Sequence, residues 1–216
     1  QVTLVELYTS EGCSSCPAAD RWLTGLKDPD NLWKKYIPLA FHVDYWNKLG
    51  WPDRFSDHSY SVRQASHQIQ DNVQSVYTPE FVINGGEWRG FFNPDMRNEP
   101  ITQSILKPGR LLLTHNDGKA MVQFDRLLYP EEIPIVANLA YLGTNLKTNI
   151  LRGENAGREL HHNFVVLKMQ SQENPGSVWK FDLDVPEAAT AVVAWLSFPS
   201  NLSPLQAVGG YLSDKP

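Results

Sequence analysis

Two cysteines separated by two serines are the residues whose types and spacing most directly suggest chemistry. Cys13 and Cys16 are the only cysteines in the 216-residue chain. A thiol pair at this spacing can close and open a disulfide through a thiolate. A structural bridge or half of a metal site is the alternative. However, a bridge over so short a loop constrains the unfolded chain little, and a zinc site needs further ligands. The sequence has no second pair, so redox chemistry is the favoured interpretation.

The elements around the pair place it at a junction between a strand and a helix. The run Val2–Tyr8 is short, apolar and rich in β-favouring residues, as a buried strand is. Beyond the pair, apolar residues recur at helical spacing from Ala18 to Leu26. The sulfur of Cys13 would then lie near free helix amides and the positive end of the helix dipole, which favours a thiolate.

The chain up to position 75 continues an alternation of strand and helix. Ile37–Val43 indicates a second buried strand, so strand, helix and strand predict a βαβ unit with parallel strands. An unusually aromatic segment follows at 44–53, and spaced apolar residues predict a helix within 56–75.

A second informative stretch surrounds Pro79. Phe81–Ile83 predicts a strand, Asn84–Gly86 a tight turn and Trp88–Phe92 the returning strand. A proline at the start of a strand is confined to an edge or first position, and the Thr78–Pro79 bond is a candidate for the cis form.

Near position 109 the predicted elements change from alternating strands and helices to short strands. Ile101–Leu106 predicts a short closing helix. Turn residues separate the strand-like runs that follow, which suggests an antiparallel sandwich. These runs are Leu111–Leu113, Lys119–Phe124, Ile133–Leu142, Phe164–Met169, Val178–Leu183 and Ala191–Phe198. We therefore expect one domain over 1–109, with an insertion at about 44–75, and a β-rich domain over 110–216.

Composition excludes several classes of function. The net charge is −5 and there is no basic block, so nucleic acid and anionic membrane surfaces are poor partners. No apolar run approaches the roughly 20 residues that span a bilayer. The chain begins at Gln1, directly before a strand, and we expect it to be a processed product of a longer precursor.

A cysteine pair at a helix start, followed by Thr-Pro before a hairpin, resembles the thioredoxin-like arrangement. The resemblance implies an α/β thioredoxin-like first domain, with Cys13 as the exposed attacking thiol and Cys16 as the buried resolving thiol. It also implies that Thr78 and cis-Pro79 hold the backbone of a substrate. The chain departs from ordinary thioredoxins in having Gly12 in place of a tryptophan before the first cysteine and Pro17 after the second. Two serines lie between the cysteines, so the redox potential of better-known relatives does not apply to this pair.

Longer segments resemble an uncharacterised family of secreted bacterial thioredoxin-like proteins. They are VELYTSEGCSSCPAADRWL, LAFHVDYWNKLGWPDRF, VYTPEFVING and RGENAGREL. The family has no settled activity. The resemblance implies export, to the periplasm or beyond.

Three carboxylates near the pair have open roles. Glu6 lies in the first strand, where related folds often bury a carboxylate that accepts the proton of the resolving thiol; burial would raise its pKa. A solvent-facing Glu6 is the alternative, because strand alternation does not settle its direction. Glu11 could oppose a thiolate at Cys13 through its like charge or cap the helix, and it is expected to be solvated. Asp44 ends the second strand, at the edge where open α/β sheets place their sites.

The aromatic residues after Asp44 also have two interpretations. Tyr45, Trp46 and Trp51 either wall a substrate pocket beside Cys13 or pack the insertion onto the sheet, and both can hold together. His42 is expected to be a core or surface residue rather than a ligand.

The remaining histidines and one loop complete the candidates. His58 and His67 are expected at the surface. In the segment Arg152–His162, paired arginines and glycine amides could hold a carboxylate or dock the loop on the first domain. The favoured interpretation is a structural turn with a salt link between the domains. His161 and His162 would point in opposite directions on a strand, which argues against a shared metal.

The leading functional hypothesis is a thiol–disulfide oxidoreductase without a cofactor. Its partners would be a protein or small-molecule thiol or disulfide and an unknown redox partner, with the direction left open. The competing hypothesis is a binding module that delivers copper through Cys13 and Cys16, because soft thiolates suit Cu(I). A third possibility is that the β-rich domain recruits a client and the thiols only regulate it.

Overall fold

A computed structural model describes residues 1–212 and shows a mostly β fold with few helices. The last four positions of the predicted second domain lie outside the described residues. The strands are β1 (Thr3–Thr9), β2 (Tyr36–His42), β3 (Glu80–Ile83), β4 (Gly86–Glu87), β5 (Gly109–Asn116), β6 (Lys119–Arg126), β7 (Ile135–Gly143), β8 (Leu146–Asn149), β9 (Glu159–His162), β10 (Val165–Asn174), β11 (Val178–Asp182), β12 (Ala191–Phe198) and β13 (Asn201–Tyr211). The helices are α1 (Cys16–Thr24), α2 (His58–Ile69) and the short α3 (Pro94–Arg97).

The predicted βαβ unit is confirmed. β1 and β2 are parallel neighbours, connected through α1. Every residue of β1 is buried, because the strand lies inside the sheet with helices against it. The antiparallel hairpin of β3 and β4 pairs with β1 on its other side, and its turn contains Asn84 and Gly85, both with positive φ.

One mixed sheet of eight strands joins the two halves of the chain. Its order is β13-β12-β7-β10-β2-β1-β3-β4. The halves meet where Val165 of β10 pairs with Ala40 of β2 in parallel, beside a 2.8 Å hydrogen bond from the Ala40 amide to the Phe164 carbonyl. The division of the chain at position 109 stays a prediction, since strands of both parts share this sheet.

A smaller sheet covers one end of the large one. Its order is β11-β6-β5, and its buried side chains, such as Val122, Phe124 and Trp179, pack with Leu139 and Leu196 of the large sheet. The six strands predicted beyond position 110 are confirmed within a few residues, and β8, β9 and β13 are additional. β8 and β9 pair with each other and carry the segment that reaches the cysteines.

Two local predictions are wrong. Ile101–Leu106 is irregular rather than helical, and Ile105 is 93% exposed. A helix of that length has too few internal hydrogen bonds to form without a buried face. The strand predicted for Trp88–Phe92 is replaced by β4, which ends at Glu87, and a 3₁₀ turn over Gly90–Phe92.

No helix within residues 1–212 is long and apolar enough to cross a membrane.

Candidate functional site

The two cysteines lie at the start of α1, as the sequence predicts: Cys13 precedes the helix and Cys16 is its first residue. Cys13 and Cys16 form a disulfide, with their Cα atoms 5.4 Å apart. The Cys13 amide donates to the Ser10 carbonyl, which turns the chain after β1. Pro17 occupies the first turn of the helix, where a missing N–H removes no helical hydrogen bond. We refer to Ser10–Cys16 as the cysteine loop.

Neither cysteine is exposed in this oxidised form. Cys13 is 1% exposed and Cys16 is fully buried, whereas Ser14 and Ser15 between them face solvent. The hydroxyl of Ser15 lies 3.4 Å from the Cys13 sulfur. The expectation of an exposed Cys13 is therefore wrong here. The physical reason is that segments from distant parts of the chain pack against the cysteine loop.

Trp46 connects the cysteine loop to the segment around Pro79. Its indole N–H donates a 2.8 Å hydrogen bond to the Thr78 hydroxyl, and the Thr78–Pro79 bond is cis. A Cβ atom at Gly12 would lie 3.3 Å from the Trp46 Cβ. Gly12 therefore leaves the space that Trp46 needs. Trp46, from the aromatic segment, thus lies beside Gly12.

Glu11 is buried rather than solvated, which corrects the sequence expectation. It is 1% exposed, and its carboxylate accepts a 2.8 Å hydrogen bond from the indole of Trp51. Its amide donates to Asp53, also at 2.8 Å. Burial opposes ionisation, but the adjacent His162 imidazole and the Trp51 bond hold the pKa of Glu11 below its ordinary value.

Asp44 and Tyr45 contact α2 rather than the cysteine loop. The Ser61 hydroxyl donates to Asp44, and His58 Nδ1 lies 3.0 Å from the same carboxylate. The phenol of Tyr45 donates to Gln64. These contacts match the packing interpretation of the aromatic segment, while Trp46 and Trp51 lie at the cysteine loop. The substrate-binding role predicted for Asp44, Tyr45 and Trp46 stays a prediction.

A loop at 151–158, between β8 and β9, docks on the cysteine loop. The side-chain amide of Asn155 donates to the carbonyls of Glu11 and Cys13, at 2.8 and 2.9 Å. The amide of Ser14 donates to Glu154 at 2.9 Å. Asn155 is fully buried and is itself held by Arg158. Docking on the first part of the chain was one of the two predicted roles of this loop, but Asn155 and Glu154 make these contacts rather than the arginines.

Buried ionisable side chains gather beneath the cysteine loop. His162 lies 3.3 Å from Glu11 and 3.8 Å from Asp20. His42 lies 2.6 Å from Asp53, and the rings of His42 and His162 are 5.1 Å apart. Burial raises the pKa of Asp20, although the two imidazoles counteract it. His42 is a core residue, which is one of the two positions predicted for it.

Sequence reasoning missed most of this cluster. Asp20 follows Cys16 by one helical turn, and that spacing is a signal that the two share a face of α1. No local signal joins His162 to Glu11, because the contact depends on how β9 packs on α1. His161 faces solvent beside Glu159, so the opposite directions predicted for the two histidines are confirmed.

Glu6 lies on the other face of the sheet from α1. Arg63 of α2 binds its carboxylate through two hydrogen bonds, at 2.8 and 2.9 Å, and the Tyr8 phenol adds a third. Thr9, three residues further along the strand, faces Asp20 of α1 instead. Burial favours a raised pKa, but Arg63 and then His67 hold the pKa of Glu6 well below its usual range. The expectation of a raised pKa is wrong, and the predicted catalytic role of Glu6 stays a prediction.

Two histidines of α2 differ in their exposure to solvent. His67 is fully buried 3.5 Å from Glu6, so its predicted surface position is wrong; the ion pair of Glu6 draws it inward. The side chain of His58 is 80% exposed, as expected.

Glu80 is another residue that the sequence did not single out. Gln64 donates both to its carboxylate, at 2.6 Å, and to the Tyr77 carbonyl, at 2.7 Å. α2 thus holds the chain on both sides of Pro79. Burial raises the pKa of Glu80 to about 7.

No group of three His, Cys, Asp or Glu side chains in the described part of the chain is arranged to hold a metal ion.

Comparison with protein families gives one match that covers most of the chain. A family profile described as "Protein of unknown function (DUF1223)" matches residues 4–196. The chain belongs to this family. The matched range includes Cys13, Cys16 and the 151–158 loop. The sequence expectation of an uncharacterised family is confirmed to that extent.

Two solved structures share the fold. One is the crystal structure of an Agrobacterium tumefaciens protein, with 20% identity and a TM-score of 0.67 over 99% of this chain and 96% of that one. The other is HBP35 of Porphyromonas gingivalis, with 16% identity and a TM-score of 0.64 over 99% of this chain and 76% of that one. No curated protein matches the sequence.

Proposed function

We propose that this protein is a thiol–disulfide oxidoreductase with Cys13 and Cys16 as its redox pair. The observation that carries the proposal is their disulfide bond at the start of α1. Trp46 supports it, because it contacts Gly12 of the cysteine loop and Thr78 of the Pro79 segment together. In the thioredoxin-like proteins that the sequence resembles, the corresponding segment holds the backbone of a substrate, and we propose the same role here.

The proposed reaction exchanges one disulfide for another. In the reducing direction the Cys13 thiolate attacks a client disulfide, forms a mixed disulfide and releases one client thiolate. The Cys16 thiolate then attacks the Cys13 sulfur, closes the Cys13–Cys16 disulfide and releases the second client thiolate. The client gains two electrons and the pair loses two. The oxidising direction is the reverse sequence.

Proton transfer accompanies this exchange. Cys16 is fully buried, so its thiol must lose a proton to a group inside the protein or to water that enters. Asp20 lies one helical turn from Cys16 and is buried among the imidazoles of His42 and His162. We assign Asp20 as a candidate acid–base group and keep Glu6 as a second candidate, on the opposite face of the sheet.

The surroundings of Cys13 restrict its clients. Because Cys13 is 1% exposed when oxidised, attack on its sulfur requires local movement of the segments around it. We propose Thr78, Pro79, Tyr45 and Trp46 as the substrate-facing residues, with Asp44 at their edge. A disulfide of this kind is also consistent with an exported protein.

Replacement of Cys16 by Ala tests the proposed function. The reduced Cys16→Ala protein should accumulate a stable mixed disulfide at Cys13 when mixed with glutathione disulfide or insulin, as mass spectrometry would show. Cys13→Ala is the matched control and should form no such intermediate. If the folded wild-type protein exchanges with neither reagent, the function is not thiol–disulfide exchange. Tight Cu(I) binding that needs both cysteines, without any exchange, would then favour the copper alternative.

A further inference from the structure

Glu154 places a carboxylate on the backbone between the two cysteines. Its Oε2 accepts a 2.9 Å hydrogen bond from the backbone amide of Ser14, which directly follows Cys13. Hydrogen bonds from the Ser14 side chain and amide lower the pKa of Glu154, which is therefore ionised at neutral pH. The carboxylate comes from the 151–158 loop, which Asn155 fixes to the same cysteine loop.

The hydrogen bond between Glu154 and Ser14 works against the usual stabilisation of a thiolate at the start of a helix. Free amides ahead of a helix carry partial positive charge and favour an anion. At this site Glu154 places a negative charge on the Ser14 amide, two residues before α1, and Glu11 adds a second, buried negative charge two residues before Cys13. Like charges nearby disfavour ionisation of a thiol.

We propose that Glu154 is a positioning residue that disfavours the Cys13 thiolate and thereby makes the pair a reductant of client disulfides. The inference rests on the proposed function. Reduction of the Cys13–Cys16 disulfide takes up two electrons and, when Cys13 is a thiolate and Cys16 a thiol, one proton. A negative charge beside the thiolate destabilises this reduced state, so its two electrons pass more readily to a client disulfide. The substrate class is therefore disulfides to be reduced rather than dithiols to be oxidised.

Titration of Cys13 in reduced Cys16→Ala protein tests the charge effect directly. Ultraviolet absorbance follows the thiolate as the pH rises. We expect Glu154→Gln to increase the acid dissociation constant of Cys13 roughly two- to fivefold, the range for an exposed charge at close distance. Glu159→Gln is the matched control, since it removes the same charge from β9, where Glu159 contacts Lys147 and His161. It should leave the titration unchanged.

Salt separates a charge effect from a structural one. Glu154 is exposed, so about 1 M salt, with a screening length of about 3 Å, should remove most of the difference between wild type and Glu154→Gln. A difference that persists in salt, or one that Glu159→Gln reproduces, would overturn the inference.

Equilibrium with glutathione tests the direction. Two glutathione molecules reduce the disulfide to the dithiol and leave as one glutathione disulfide. Above the pKa of Cys13, Glu154→Gln should shift this equilibrium roughly two- to fivefold towards the dithiol, or about 10 to 20 mV for a two-electron couple. An unchanged equilibrium would contradict the inference. If the wild-type protein does not equilibrate with glutathione at all, the proposed function fails instead, and the thiolate titration still reports on Glu154.

Discussion

The side-chain amide of Asn155 donates a 2.9 Å hydrogen bond to the carbonyl of Cys13, which lies 142 positions earlier in the chain. The same nitrogen also bonds the Glu11 carbonyl. A fully buried asparagine with both of these bonds fixes the backbone on each side of Gly12. The second half of the chain therefore contributes directly to the shape of the cysteine loop.

Removal of this amide should loosen the cysteine loop. We expect Asn155→Ala to lower the free energy of unfolding by about 1–3 kcal/mol, because two buried carbonyls lose their donor. Reduction of the disulfide by dithiothreitol should also become faster. Urea denaturation and a reduction time course measure the two effects. Asn98→Ala is the control, because the side-chain amide of Asn98 donates an exposed hydrogen bond to the Pro94 carbonyl, far from the cysteine loop in the sequence. Equal behaviour of the two variants would refute the clamping role of Asn155.

The buried ion pair of Glu6 and Arg63 should dominate stability on the α2 face. Glu6→Gln leaves the Arg63 guanidinium, 7% exposed, without its counter-charge, and should cost about 3–5 kcal/mol in urea denaturation. Tyr8→Phe removes one hydrogen bond to the same carboxylate and should cost about 1 kcal/mol. A loss no larger than that of Tyr8→Phe would argue against the pair.

The same carboxylate should make stability depend on acid. The pKa of Glu6 is lowered on folding, so its contribution is present above the unfolded value of about 4.5 and is lost as the pH falls towards the folded value. Wild type should therefore lose stability below about pH 4.5 more steeply than Glu6→Gln.

The rate of glutathione exchange in Glu6→Gln tests the predicted catalytic role of Glu6. An exchange rate equal to that of wild type would exclude that role.

His42 and Asp53 should produce the opposite dependence at higher pH. Burial lowers the pKa of His42, but Asp53 at 2.6 Å outweighs it and raises the value above 6.5. The stabilisation is complete below the unfolded value of 6.5 and is lost as the pH rises through the folded value. Thermal denaturation across this range should show the decline in wild type and not in His42→Gln. His58→Gln, a change at an exposed imidazole, should retain the wild-type slope.

Short-range patterns in the sequence were enough to predict the elements that hold the two cysteines. Alternation of apolar runs with helical spacing predicted β1, α1 and β2, and the position of Cys13 and Cys16 between strand and helix followed from them. Thr78–Pro79 and the Asn84 turn were visible for the same reason, because turn chemistry is local. The helix predicted at Ile101–Leu106 did not form because only Ile101 packs against the core, while Ile105 and Leu106 face solvent.

The sequence by itself determined that a dithiol lies at the start of a helix. Only the tertiary structure decided what surrounds it: Trp46 beside Gly12, Trp51 on Glu11, and Glu154 and Asn155 on the cysteine loop. These contacts join residues separated by 34 to 144 positions, so no local periodicity encodes them. The burial of Cys13 and the charge near it follow from how β9 packs against α1 and how the 151–158 loop docks on the cysteine loop. Both depend on the packing of the whole fold rather than on local sequence.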